Sequence, residues 1–451
     1  MRASIPVVMR IFIVGAGQVG YHIASSLVTE GHDLVIIEKN RDNAKAMEKI
    51  LDVLAVTGDG CDPTLLKRRG VGTADLFFAV SNNDAANLLA ALTAKRLGAK
   101  RCVVRLGDPK YGKNPLLMEE PEIMPLFPER LVAEEIRSLT KVPGVARVRY
   151  FADDKLVLLQ ARPSSRADIY NRPLRELRGP EGWVLTGISR STGIVIPSGD
   201  TVLRPGEPLY AVGRTESIPE FLESIGVSHQ PTRKVVIAGA GHVGSWLAGM
   251  LVEDGIEVSV VQRGADRAFD LASRVPGALV LKGDATDPAI LKEAGVQQAD
   301  YFVAATAEDE TNIMCSLLAR ELGARTMITL YHNPVFLNVL RAARIDLPVS
   351  PRMMIAGTIL RMVHPQEIMT LDMVEGGDAE VVEFEIPEGA QVLKRHMRDL
   401  NFPKHAIVGA VIRGEEMFVP EGNFKFQKGD DALVFTKSDS LPAVEKMFRG
   451  K

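Results

Sequence analysis

Short, mostly apolar runs punctuate the beginning of the chain at regular intervals: Ile11–Val14, Leu34–Ile37, Val53–Val56, Leu76–Val80 and Cys102–Leu106. Each has the length and β-branched or aromatic content of a buried strand, and the stretches between them carry helical periodicity. Strand alternating with helix predicts βαβ units and a parallel, doubly wound sheet. From about Val142 the pattern changes. Runs such as Lys155–Gln160 alternate apolar and polar positions, and turns such as Pro197-Ser198-Gly199-Asp200 break them. These features predict a small α+β lobe with antiparallel strands. A Pro-punctuated connection and a helix join the two parts. On that helix Val132, Ile136 and Leu139 form an apolar stripe at i, i+4, i+7. The stripe packs either on its own domain or on another subunit, and the periodicity leaves both open.

The whole pattern then occurs a second time. Val14-Gly15-Ala16-Gly17-Gln18-Val19-Gly20 returns as Ala238-Gly239-Ala240-Gly241-His242-Val243-Gly244. Gly58-Asp59 answers Gly283-Asp284, Ser81-Asn82-Asn83-Asp84 answers Thr306-Ala307-Glu308-Asp309, and Asn87 answers Asn312. The stripe has its copy in Ile355, Ile359 and Met362, and Ile196-Pro197-Ser198-Gly199 its copy in Val419-Pro420-Glu421-Gly422. One register held across an entire half marks a tandem duplication. The expected organisation is a Rossmann-like unit at 9–130, a small lobe at 142–226, a second Rossmann-like unit at 231–350 and a second lobe at 368–451.

Composition narrows the function classes. Of 451 residues, 46% are hydrophobic and 25% charged, which excludes a largely disordered chain. A net charge of −3 provides no positive field to draw the protein onto nucleic acid. No apolar run approaches the roughly 20 residues of a membrane-spanning helix, so any membrane role is expected to act through a partner. Cys61, Cys102 and Cys315 are far apart and match no metal-ligand spacing. Sparse cysteines and the lack of a leader pattern before Met9 fit a cytosolic protein.

The candidate chemistry lies in the glycine motifs. Gly15-x-Gly17-x-x-Gly20 follows a predicted strand and opens a predicted helix, Tyr21–Thr29. Gly15 allows the tight turn, Gly17 lets backbone approach a pyrophosphate, and Gly20 admits close packing of helix on strand. The helix start then offers N–H groups and partial positive charge to phosphate. Glu38 ends the second strand, where a carboxylate can accept both hydroxyls of an adenosine ribose and would repel a 2′-phosphate. Asp59 and Ser81 follow the third and fourth strands, either as ligand contacts or as turn and helix-cap residues. Arg105, at the end of the fifth strand, is a cation aimed at the same crevice or a member of a surface ion pair. The second half repeats the loop with Gly239, Ala240, Gly241, His242, Val243 and Gly244, and Asp284 and Thr306 match Asp59 and Ser81. It puts Gln262 at the position of Glu38 and Leu330 at that of Arg105, so it either binds nucleotide or keeps the fold with an altered site.

This order of motifs, repeated, resembles the TrkA family, regulators of Trk-type potassium uptake built from two regulator-of-K⁺-conductance (RCK) units per chain. The resemblance spans Met9 to Lys451. It implies NAD(H), and also ATP or ADP, bound at Gly15, Ala16, Gly17, Gln18 and Val19, with Glu38, Asp59, Ser81 and Arg105, next to the Gly20 of the motif. It also implies a tetrameric ring on the cytoplasmic face of a membrane potassium transporter. Two positions depart from the family pattern: Gly107, where many relatives carry a second Arg, and Gln262. The other readings are a tandem-Rossmann dehydrogenase and a nucleotide sensor with no membrane partner. Against the dehydrogenase, the eight histidines are scattered, with no acid/base arrangement of the kind hydride transfer needs.

Overall fold

The computed structural model describes residues 8–449 apart from 30, 109–110, 112–113, 153, 178–181, 191–192, 228–229, 352–353, 355–357, 359–367, 375–378 and 415. The first sheet contains β1 (Arg10–Val14), β2 (Asp33–Glu38), β3 (Leu54–Thr57), β4 (Leu76–Ala79), β5 (Arg101–Arg105) and β6 (Ile123–Leu126). All pairs are parallel and the order is β3-β2-β1-β4-β5-β6, the doubly wound arrangement. Helices α1 (Gln18–Thr29), α2 (Arg41–Ile50), α3 (Pro63–Arg68), α4 (Asp84–Leu97) and α5 (Pro115–Met118) connect or flank these strands. The sheet is covered on both faces, which is why its strands read as continuous apolar runs. Ile11, Ile13 and Ile36 pack with Ile23 and Leu27 of α1, while Phe12, Val35 and Phe77 pack with Leu88 and Ala91 of α4.

The sixth strand was not expected. Its sequence, Ile-Met-Pro-Leu, reads as connection because Pro125 cannot donate to a ladder. At the sheet edge that missing donor costs nothing. After it, α6 (Pro128–Lys141) leads into the first lobe. That lobe is a mostly antiparallel sheet of β7 (Val145–Phe151), β8 (Leu156–Ala161), β9 (Val184–Arg190), β10 (Gly193–Val195) and β11 (Leu209–Arg214), closed by α7 (Ile218–Ser224). Its order is β10-β9-β11-β8-β7.

The second half repeats this topology. Strands β12 (Lys234–Ala238), β13 (Glu257–Gln262), β14 (Ala278–Lys282), β15 (Tyr301–Ala304), β16 (Thr326–Leu330) and β17 (Leu347–Val349) are ordered β14-β13-β12-β15-β16-β17. Between them run α8 (His242–Glu253), α9 (Ala265–Arg274), α10 (Pro288–Glu293), α11 (Asp309–Glu321) and α12 (Phe336–Ala342). The second lobe, β18 (Ile368–Val374), β19 (Ala379–Glu385), β20 (Ala406–Arg413), β21 (Glu416–Phe418) and β22 (Asp431–Lys437), has the strand order of the first. The tandem α/β duplication expected from the motifs is therefore the fold.

The halves share cores. The stripe Val132, Ile136 and Leu139 is at most 2% exposed, and it joins one cluster with Leu247, Ala248 and Leu251 of α8. So the stripe is buried within its own chain, against the second Rossmann unit and not its own unit alone. Arg137 Nε and Nη2 donate to the Asp254 carboxylate at 2.6 and 2.6 Å, and the Thr232 hydroxyl donates to the Thr140 carbonyl at 2.6 Å. Ile355, Ile359 and Met362, the copied stripe, lie outside the described residues. The lobes also meet, face to face: Phe151, Leu158 and Tyr210 of the first bury with Val381, Leu433 and Phe435 of the second. Gly187 makes room for this contact, since a Cβ there would come within 3.0 Å of the Phe435 ring.

Candidate functional site

Both glycine loops stand where a doubly wound sheet binds ligands, at the carboxyl ends of the strands beside the switch in strand order. In the first, Gly15 has φ of +104°, which favours glycine, and its N–H donates to the Ile37 carbonyl at 2.9 Å. A Cβ on Gly20 would lie 1.9 Å from the Gly15 carbonyl oxygen. Its nearest neighbour is thus the loop itself; the strand comes next, with Ile13 Cγ2 at 3.6 Å. Gly17 is different, because a Cβ there meets nothing within 4 Å. The chain has no steric need of glycine at Gly17, and the open space lies over the first turn of α1, whose N–H groups lack intrahelical acceptors. The second loop reproduces all three features: Gly239 at φ +105°, Gly244 where a Cβ would lie 2.0 Å from the Gly239 oxygen, and Gly241 with open space. Gln18 and Val19, like His242 and Val243, belong to the first turns of α1 and α8.

The residue ending the second strand ties each loop down. Glu38 Oε2 accepts from the Ala16 N–H at 2.6 Å, and its Oε1 accepts from the Asn40 N–H at 2.7 Å. Gln262 Oε1 accepts from the Ala240 N–H at 2.8 Å. Both side chains therefore brace the backbone of the glycine loops, a contact between segments that their strand-end position in the sequence does not reveal.

Asp59 and Asp284 organise the turn after the third strand. Asp59 Oδ1 accepts from the Cys61 N–H at 2.9 Å, and Lys39 Nζ is 3.6 Å from Oδ2. The Cys61 N–H and then Lys39 hold its carboxyl below the ordinary range. Asp284 accepts from the Thr286 N–H and hydroxyl at 2.9 and 2.8 Å and pairs with Arg263 at 3.0 Å, with the same effect on its carboxyl. Ser81 and Thr306 do not cap the following helix. Asn83 does so for α4, accepting from the Ala86 N–H. The hydroxyls of Ser81 and Thr306 donate instead to the buried Asn87 and Asn312 at 2.6 and 2.6 Å.

Each of those asparagines uses its whole amide. Asn87 accepts from the Ser81 N–H and donates to the carbonyls of Ser81 and Arg105, and Asn312 does likewise with Thr306 and Leu330. Asp84 accepts from the N–H groups of Gly107 and Asp108, and Asp309 from those of His332 and Asn333. Their recurrence in both halves was the available signal, though it named landmarks rather than roles.

Arg105 lies beside Ser81 and Asp84 in a cleft of about 500 Å³ that also takes in Gly107, Glu129 and, from the second half, His242. His242 was expected to serve its own loop; α6 packing on α8 also brings it to this cleft, whose lining does not include the Gly15–Gly20 loop, Glu38 or Asp59. Glu129, which no motif marks in the sequence, pairs with Arg105 at 2.9 Å.

Comparison with known proteins bears on the family and the fold. The family model described as the TrkA-N domain matches residues 11–118 and 235–351, and that described as the TrkA-C domain matches residues 381–449. The chain is 35% identical over 447 residues to the Trk system potassium uptake protein TrkA homolog of Archaeoglobus fulgidus, covering 98% of this chain and 100% of that one. It is 30% identical over 453 residues to the Trk system potassium uptake protein TrkA of Halomonas elongata, covering 98% and 99%. Among solved structures, the GsuK RCK domain superposes with a TM-score of 0.64 at 18% identity, covering 99% of this chain and 96% of that one. The GsuK channel bound to NAD does so with a TM-score of 0.64 at 17% identity, covering 99% and 80%. The structural likenesses concern the fold; identity along nearly the full length decides the family, and the chain belongs to the TrkA family.

Proposed function

We propose that this chain is the cytosolic regulatory subunit of a Trk-type potassium uptake system, which binds NAD(H), and also ATP or ADP, to control transport through a membrane partner. The observation that carries the reading is the pair of glycine loops with open space over Gly17 and Gly241, set in a chain whose TrkA relatives align end to end. In the first crevice Gly15 to Gly20 receive the pyrophosphate, Glu38 the ribose and Arg105 a phosphate, with Asp59 and Ser81 at the walls. Gly239 to Gly244, Gln262, Asp284 and Thr306 form the second. The NAD-bound neighbour among solved structures supports the choice of ligand. No helix among the described residues is long and apolar enough to cross a membrane, which fits control through a partner.

The subunit acts as a switch and not as an enzyme. Bound ligand shifts the arrangement of the Rossmann units only by its differential affinity for the two arrangements, and a tetrameric ring passes that bias to the transporter. Calorimetric titration of the full chain with NADH, ADP and ATP tests the reading, together with co-purification with a Trk-type membrane subunit. Binding without turnover is expected, and Gly17→Val or Glu38→Ala should weaken it. Steady oxidation of NADH by a small carbonyl compound, or affinities indifferent to both substitutions, would defeat it.

A further inference from the structure

Arg105 is already engaged by two side chains of its own unit. Its Nη2 donates to Glu129 Oε1 at 2.9 Å and its Nη1 to Asn82 Oδ1 at 3.3 Å. The two side chains of the ion pair are 19% and 21% exposed, so water screens the pair only partly. Glu129 is nevertheless an incomplete partner, because its Oε2 is buried and has no hydrogen-bond partner among the described residues. A phosphate presents several oxygens to the planar fork of a guanidinium, which a half-used carboxylate does not. Glu129 also lies in the first turn of α6, where the helix start stabilises a negative charge once its cation has left.

We propose that Glu129 is a specificity-determining residue: it holds Arg105 and competes for it with the phosphate of an incoming nucleotide. The proposal rests on the nucleotide-binding reading above. A ligand whose phosphate reaches Arg105 replaces the carboxylate, and one without phosphate leaves the pair intact. The crevice thereby discriminates by charge as well as by shape. Exchange also releases the start of α6 from the end of β5, and α6 is the helix whose stripe supports the second Rossmann unit. The second crevice lacks this competition, since Leu330 stands at the position of Arg105.

The test is titration of the full chain with ADP and with adenosine, in a Gly241→Val background that closes the second crevice. Glu129→Gln should bind ADP about three- to tenfold more tightly, the range a partly shielded ion pair supplies. Adenosine affinity should not move, and the ADP effect should vanish when Arg105→Gln is added. Glu129→Ala should behave like Glu129→Gln, which covers a folding defect specific to either variant. ADP affinity unchanged or weakened in both variants overturns the proposal, as does tightening that survives Arg105→Gln or extends to adenosine. If the parent protein binds none of ADP, ATP and NADH, the nucleotide reading falls and this proposal with it. If it binds them with no effect at Glu129, only this proposal falls.

Discussion

Glycines with the same spacing do different work in the two loops, and substitution separates their roles. Alanine at Gly20 or Gly244 would place a Cβ 1.9 or 2.0 Å from a backbone oxygen, which no rotamer can relieve. Gly20→Ala should cost about 1–3 kcal/mol in denaturant unfolding. Gly17→Ala meets nothing within 4 Å, so it should melt like the parent chain while losing nucleotide affinity. The strand-end residues predict unequal halves. Glu38 has lone pairs left for a ribose diol after serving Ala16 and Asn40, and a charged acceptor is worth about 1.5–3 kcal/mol against roughly 0.5–1.5 for a neutral one. The second crevice should therefore bind about five- to thirtyfold more weakly. Gln262→Glu should narrow that gap without loosening the loop, because the acceptor for the Ala240 N–H remains. Full-chain titration with NADH reads both effects.

At the scale of elements, small buried polar groups fasten strand ends to helices. Asn87 joins the ends of β4 and β5 to α4, and Asn87→Leu would leave the Ser81 N–H and the carbonyls of Ser81 and Arg105 without that partner. At about 1–3 kcal/mol for each buried group left unpaired, a loss of roughly 3 kcal/mol or more is expected in chemical denaturation. The α6–α8 contact has a pH signature. Hydrogen bonds from Arg137, helped by Lys141, hold the Asp254 carboxyl below its ordinary value of 3.8. A carboxyl depressed in the folded state contributes stability that is complete above the unfolded value and is lost as pH falls through the folded one. The stability difference between the parent chain and Asp254→Asn should thus hold at neutral pH and shrink below about pH 4, as read by thermal melts across that range.

Across the whole molecule, the duplicated halves are not independent bodies. One apolar cluster runs from α6 and the first lobe into the second Rossmann unit, and another joins the two lobe sheets. A fragment of residues 231–451 would expose Leu247, Ala248, Leu251, Val381, Leu433 and Phe435. It should therefore self-associate or fail to melt cooperatively. A soluble monomer of that fragment in light scattering, with a sharp thermal transition, would contradict the shared core.

The order of strands and helices, the two glycine turns and the strand-end residues Glu38 and Gln262 were legible in the chain because they are local. A period of two or 3.6, a backbone turn and a βαβ unit each need only neighbours in sequence. The duplication was legible for the same reason, as one register compared with itself. Other features depended on approach between segments far apart in sequence. These are the edge strand through Pro125, the bracing of the loops by Glu38 and Gln262, the pairing of Arg105 with Glu129, and His242 in the cleft beside Arg105 of the other unit. The stripe on α6 shows the division most clearly. Its spacing required that Val132, Ile136 and Leu139 be buried, but hydrophobic burial is non-directional, and only the tertiary structure decided that α8 of the same chain would cover them.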